Sequence, residues 1–253
     1  MILIQTAIRQ EFSAIARTLV DVRYSRAVTS SPADMSAKRA VTARGRLFEH
    51  DCILLLTGIG QAAAEHRLRA QLGAMQGNLP SVILSIGLAG GLINDLRIGD
   101  AVVASTVKKI LCNELVGTCA MTMPAGSGWH CGSLLSLDQA AMTPEKKREL
   151  AANYDGVICD METAAVAAAA AESGIPCIGA RIVSDTVGEA LPMWLIRMSS
   201  HLTEGRTMRA AAIIASHPQD LVRLVRLALR MRKLDRSLRD LARRVVGSGI
   251  ELE

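Results

Sequence analysis

Short apolar runs bounded by glycine and polar turns recur along the chain, and segments with helical periodicity lie between them. Residues 1–7 predict a strand and residues 11–20 a helix. Residues 52–57 predict a strand that ends in Gly58-Ile59-Gly60, with a helix following over 62–72. Residues 81–87 form the next apolar run, which leads into Leu88-Ala89-Gly90-Gly91, and 101–107 are strand-like. Residues 144–152 read as helix, 117–133 as loop, and 30–46 as a polar, basic and mobile stretch. Residues 163–172 are strong helix formers stopped by Gly174 and Pro176, so 175–183 predict a buried strand. No internal repeat interrupts the alternation. The expected fold is α/β, a three-layer α/β/α arrangement around a central mixed, largely parallel twisted sheet.

The pattern changes near the end. Leu227, Met231, Leu234, Leu238, Leu241 and Val245 recur at spacings of four and three, which aligns them on one helical stripe. Arg226, Arg232, Lys233, Arg236, Arg239, Arg243 and Arg244 fall mostly opposite. The expected organisation is therefore an α/β domain over 1–215 and a basic amphipathic helical extension over 216–253. Two main readings of the helix stay open. Residues 219–246 lie on an anionic membrane surface, or they pack on the domain or a partner subunit with the charged face solvated; nucleic acid on the basic face is a third, disfavoured because no binding motif accompanies it.

Composition narrows the function classes. A chain of 253 residues, half of them hydrophobic, can bury one large core. No apolar run reaches the roughly 18 residues of a membrane span. The first residues lack the layout of a secretory signal, so a cytoplasmic protein is expected, peripheral on the inner face of the cytoplasmic membrane if the terminal helix binds there. Six cysteines (Cys52, Cys112, Cys119, Cys131, Cys159, Cys177) are scattered without a Cys-x-x-Cys pair, which reads as reduced thiols. The five histidines show no ligand spacing either, so no metal and no organic cofactor is expected. With only two each of Trp, Tyr and Phe, the chain lacks base-stacking platforms, and a nucleic-acid partner is not expected.

Two acids carry the candidate chemistry. Glu162 falls at a helix start and Asp185 at a strand end, and in α/β sheets ligands collect at the carboxyl ends of strands, so both are expected to face one cleft. Gly58-x-Gly60 and Gly87-x-x-Gly90-Gly91 read first as tight turns. They also offer backbone that a flat ligand such as a base or ribose can approach. The full Gly-x-Gly-x-x-Gly dinucleotide fingerprint is absent.

Taken together, Glu11, Gly58-Ile59-Gly60, Gly87-Leu88-Ala89-Gly90-Gly91 with Leu96-x-Ile98-Gly99-Asp100, Asp160-Met161-Glu162 and Arg181-x-x-Ser184-Asp185 form a pattern. It resembles the nucleoside phosphorylase and methylthioadenosine/S-adenosylhomocysteine nucleosidase superfamily, over roughly residues 1–190. Within it, Asp160-Met161-Glu162, Val183-Ser184-Asp185 and the basic terminal extension look most like the hopanoid-associated branch, which acts on adenosylhopane.

The resemblance implies cleavage of an N-ribosidic bond, with Asp185 donating a proton to the purine, Glu162 gripping the ribose hydroxyls and Glu11 orienting or deprotonating the nucleophile. It also implies Met161 packed on the sugar, backbone of Ala89 and Gly90 and the turn at Gly58 against the ligand, Leu88 near the nucleophile, and Ser184 and Arg181 supporting Asp185. A homodimer or higher homo-oligomer is implied as well. The chemistry agrees, since such cleavage builds positive charge on the sugar and negative charge on the base.

Two departures refine the expectation. Leu88 stands where a hydroxyl residue often contacts the nucleophile, and no arginine flanks Ser85-Ile86-Gly87, so water is expected rather than phosphate. Ala140 and Ala141 stand where nucleosidases usually place a ring, and a lipid on the sugar could supply the missing binding energy. Phosphorolysis of the same substrate, a soluble methylthioadenosine/S-adenosylhomocysteine nucleosidase, and a non-catalytic nucleoside-binding or membrane-surface scaffold are the alternatives.

Overall fold

The computed structural model describes residues 1–26, 41–125, 128–190 and 221–248. Their strands are β1 (Ile2–Thr6), β2 (Val20–Arg26), β3 (Val41–Leu47), β4 (His50–Leu56), β5 (Val82–Gly91), β6 (Ala101–Leu111), β7 (Glu114–Ala120), β8 (His130–Leu137), β9 (Ile158–Asp160) and β10 (Cys177–Asp185). The helices are α1 (Arg9–Ala16), α2 (Gln61–Gly73), α3 (Pro144–Tyr154), α4 (Thr163–Glu172) and α5 (Leu221–Gly247). All ten strands join one sheet, in the order β10-β6-β8-β9-β5-β1-β4-β3-β2, with β7 beside β6. The central pairs β4–β1, β1–β5 and β5–β10 are parallel, whereas β2, β3 and β4 form an antiparallel edge.

Because β10 pairs with both β5 and β6, the strands β5, β10, β6, β8 and β9 close into a ring. This curl brings the carboxyl ends of β5, β9 and β10 together. Gly90 and Gly91 make the approach feasible: a Cβ on Gly90 would stand 3.2 Å from Asp185 Oδ2 and 3.3 Å from Cys159 Sγ.

Burial on both faces explains the continuous apolar runs. Ile2, Ile4, Leu54, Leu56, Leu84 and Ile86 face the core under α1 and α5, while Leu3, Ile53, Leu55 and Ile83 face the core under α2 and α4. Alternate residues of each strand thus serve opposite layers. A third, smaller core packs Leu150 of α3 on Leu135, Leu137 and Ile110.

Three expectations change. The glycines of 87–91 continue β5 rather than ending it in a turn. Residues 117–133 are not a single loop, since β7 and β8 enter from both ends; β7 is an exposed edge strand and so lacks apolar alternation. Of the stretch 30–46, residues 41–46 belong to β3, and 27–40 lie outside the described residues.

The terminal stripe also finds its cover. Leu234, Leu238, Leu241 and Val245 are buried in the same core as Ile15 of α1, and Met231 packs against it, while Arg232, Lys233, Arg236, Arg243 and Arg244 are exposed. The side chains of Arg226 and Leu227 lie outside the described residues. The buried part of the stripe is therefore not available to enter a membrane interface, which corrects that form of the membrane expectation. No described helix is long and apolar enough to cross a membrane.

Candidate active site

A cavity of about 200 Å³ opens where the ends of β5, β9 and β10 meet the start of α1. Four carboxylates line it: Glu11, Asp160, Glu162 and Asp185.

Glu11 sits at the third position of α1, whose N-cap residue Ile8 has no polar side chain. Its carboxylate reaches back instead, accepting from Ile8 N at 3.1 Å and Ala7 N at 2.9 Å, which satisfies amides that a helix start leaves unpaired. The other oxygen accepts from Leu88 N at 2.9 Å. Gly87 leaves room for this, because a Cβ there would stand 2.9 Å from Glu11 Oε1. Burial raises the Glu11 pKa from its ordinary value, against the lowering effect of those amides and of Arg181.

At α4 the capping and the functional acid are separate residues. Asp160 accepts from Thr163 N at 3.1 Å and from the Thr163 hydroxyl, so it caps the helix. Glu162, the residue at the helix boundary, is thereby released into the cleft, where its Oε1 accepts from Gly60 N at 2.7 Å. Burial pushes the Glu162 pKa up to about 8, helped by the neighbouring Asp160 carboxylate.

Arg181 is wholly engaged below the cavity. It forms an ion pair with Asp160 Oδ2 at 2.7 Å and donates to Ser85 Oγ at 2.8 Å and Thr163 Oγ1 at 2.5 Å. Gln5 extends this buried network, accepting from Ser85 Oγ at 2.8 Å and donating to Thr57 Oγ1 at 2.7 Å. The expected support of Asp185 by Arg181 is thus corrected: the guanidinium serves Asp160 and the frame of the site.

Asp185 is held on both oxygens. Oδ1 accepts from Ser184 Oγ at 2.5 Å, and Oδ2 pairs with the ammonium of Lys147, a buried side chain from α3. Nothing in the sequence sets Lys147 apart, because Lys146, Lys147 and Arg148 look like one solvated basic face. Cys159 lies beside the acid as a neutral thiol, its pKa pushed up to about 12 by burial and by the charge of Asp185.

Glu11, Glu162, Asp185, Met161, Ala89, Gly90, Leu88 and Ser184 all line the cavity. Gly58 does not. It has φ of +91° and would bring a Cβ within 2.6 Å of Arg67 Nη1, so it shapes the turn before α2 while Ile59 faces the cavity. Ala140 and Ala141 line the cavity and also wall an adjoining one of about 350 Å³ toward Cys112 and Asp138.

A family model described as the phosphorylase superfamily matches residues 1–127 and 125–216. Among solved structures, a futalosine hydrolase mutant of Helicobacter pylori is 17% identical with a TM-score of 0.63, covering 98% of this chain and 96% of that one. The 5′-methylthioadenosine/S-adenosylhomocysteine nucleosidase of H. pylori is 18% identical with a TM-score of 0.62, covering 95% and 97%. The nucleosidase of Colwellia psychrerythraea in complex with adenine is 20% identical with a TM-score of 0.60, covering 92% and 95%. At such identities the likeness speaks for the fold.

Proposed function

Because the chain belongs to the phosphorylase superfamily, enzymes that cleave glycosyl bonds, we propose that it hydrolyses the N-glycosidic bond of a 5′-modified adenosine. The proposed substrate is adenosylhopane and the products are adenine and ribosylhopane. Asp185 protonates N7 of the departing purine, so that the base leaves as a neutral molecule. Glu162, largely protonated at neutral pH, both donates to and accepts from the ribose hydroxyls, and Met161 packs on the sugar. Glu11, raised by burial, takes a proton from the attacking water.

One observation carries the choice of water. Among the described residues no lysine or arginine lines the cavity, and Arg181 and Lys147, which touch its acids, are already paired with Asp160 and Asp185. Phosphate, with about two negative charges at neutral pH, would enter a site of four carboxylates without a partner. Adenine release is expected to proceed at the same rate without phosphate and to yield an unphosphorylated sugar by mass. A requirement for phosphate with a ribosyl phosphate product would replace hydrolysis by phosphorolysis.

The lipid substrate is supported by the Asp160-Met161-Glu162 and Val183-Ser184-Asp185 motifs and by the solvated basic face of α5, which can attract an anionic surface without inserting. A soluble methylthioadenosine/S-adenosylhomocysteine nucleosidase is the second reading. The burial of the α5 stripe favours it, because that stripe adds nothing to lipid contact. A homodimer or higher homo-oligomer belongs to the same proposal.

A further inference from the structure

Lys147 is the feature of the site that the roles above leave unexplained. Its side chain is fully buried, and its three ammonium donors are all used: on Asp185 Oδ2, on Thr186 O at 2.8 Å and on Glu189 O at 3.0 Å. A buried ammonium carries a desolvation cost that an apolar side chain of similar length would not, so packing alone does not account for it. Nor does α3 require it, since Thr143 caps that helix and Leu150 anchors it in the core. What the ammonium does reach is Asp185, the carboxylate to which the proposed function gives the leaving base.

We propose that Lys147 is the positioning residue of the leaving-group acid, fixing the Asp185 carboxylate and holding the proton that this carboxylate passes to the purine. The inference rests on the reading of Asp185 as that acid. With Ser184 Oγ on Oδ1 and Lys147 on Oδ2, the carboxylate has little rotational freedom, and among the described residues Lys147 is the cation paired with it. Cys159 is a neutral thiol, and the Glu189 carboxylate is paired with Arg230 at 2.7 Å. As the C1′–N9 bond breaks, its electron pair stays with the base. N7 takes one proton from the Lys147–Asp185 pair, which is left as carboxylate and neutral amine. The attacking water gives its proton to Glu11 as its oxygen bonds C1′. When the base departs, water in the emptied cleft returns a proton from Glu11 to the pair, and the cycle balances.

The test compares two leaving groups. Methylthioadenosine needs protonation of its base, whereas 4-nitrophenyl 5-methylthioriboside releases a stable phenolate without it. Lys147→Met is expected to lower kcat on methylthioadenosine by ~10²–10⁴-fold, and on the nitrophenyl substrate by less than about tenfold. Lys147→Arg keeps the charge and the donors but cannot give up its proton, so it is expected to retain the loss on methylthioadenosine while sparing the nitrophenyl substrate. Unfolding midpoints accompany each variant, and if the methionine variant does not fold, the same ratio is read from the arginine variant. Equal losses on both substrates would make Lys147 a structural residue and overturn the inference, as would unchanged turnover of both. A wild-type enzyme inert on both substrates and on adenosylhopane would overturn the reading of Asp185 and this inference with it; where adenosylhopane alone turns over, its adenine release takes the place of methylthioadenosine in the comparison.

Discussion

Three of the four acids in the cleft are held by groups from different parts of the chain: Glu11 by the amides of Ala7, Ile8 and Leu88, Glu162 by Gly60, and Asp185 by Ser184 and Lys147. Such anchoring fixes geometry before substrate arrives, and it has a measurable cost at Glu162. Its pKa is about 8 in the folded protein against an ordinary value of 4.5, so between those values the folded state binds a proton that the unfolded state has lost. The stability contributed by that proton is complete below about pH 4.5 and falls away as the pH rises through 8. Glu162→Gln cannot titrate. Urea unfolding from pH 5 to pH 8 is therefore expected to show a smaller loss of stability in the variant than in the wild type, and an identical slope would contradict the buried, protonated Glu162. At this scale the sequence showed Glu162 at a helix start and Asp185 at a strand end, because periodicity locates such boundaries. It did not show that Asp160 takes over capping, that Arg181 turns inward or that Lys147 is buried, since each depends on contacts between residues far apart in the chain.

The helices and the strands β1, β4, β5, β6 and β10 were legible because their burial is regular, whereas β3 and the inner strand β8 were not. The run over 175–183 matches β10 to within two residues at each end, and 163–172 coincides with α4. Edge strands β2 and β7 were not, as one or both of their faces meet solvent and alternation fails. The stripe on α5 was visible, but amphipathicity alone cannot say whether lipid or protein covers it. The structure covers it with α1 and the sheet. Leu238→Ala is accordingly expected to destabilise the protein by about 2–5 kcal/mol in urea unfolding. Arg232→Ala on the solvated face should change stability by no more than about 0.5 kcal/mol. A neutral Leu238→Ala would mean that α5 does not belong to the core.

Over the whole molecule, charge is segregated. The chain carries a formal net charge of +5, yet its cavity is lined by four carboxylates, while exposed arginines gather on α5. The buried cysteines take no part in this division, because burial raises Cys52 to about 11 and Cys159 and Cys177 to about 12, leaving neutral thiols. The closed ring of β5, β10, β6, β8 and β9 is what turns a set of sequence-distant acids into one site. That closure was not legible in a chain whose apolar runs fit an open sheet equally well.

The most direct measurement is adenine release from adenosylhopane and methylthioadenosine in phosphate-free buffer, by the wild type and by Asp185→Asn. The account predicts release by the wild type, fastest from the lipid nucleoside, and a loss of ~10²–10⁴-fold in the variant with its unfolding midpoint retained. Release from methylthioadenosine alone would make the soluble nucleosidase the better reading. Absence of release from both, or undiminished release by Asp185→Asn, would contradict the central claim that this cleft breaks an N-glycosidic bond with Asp185 as its acid.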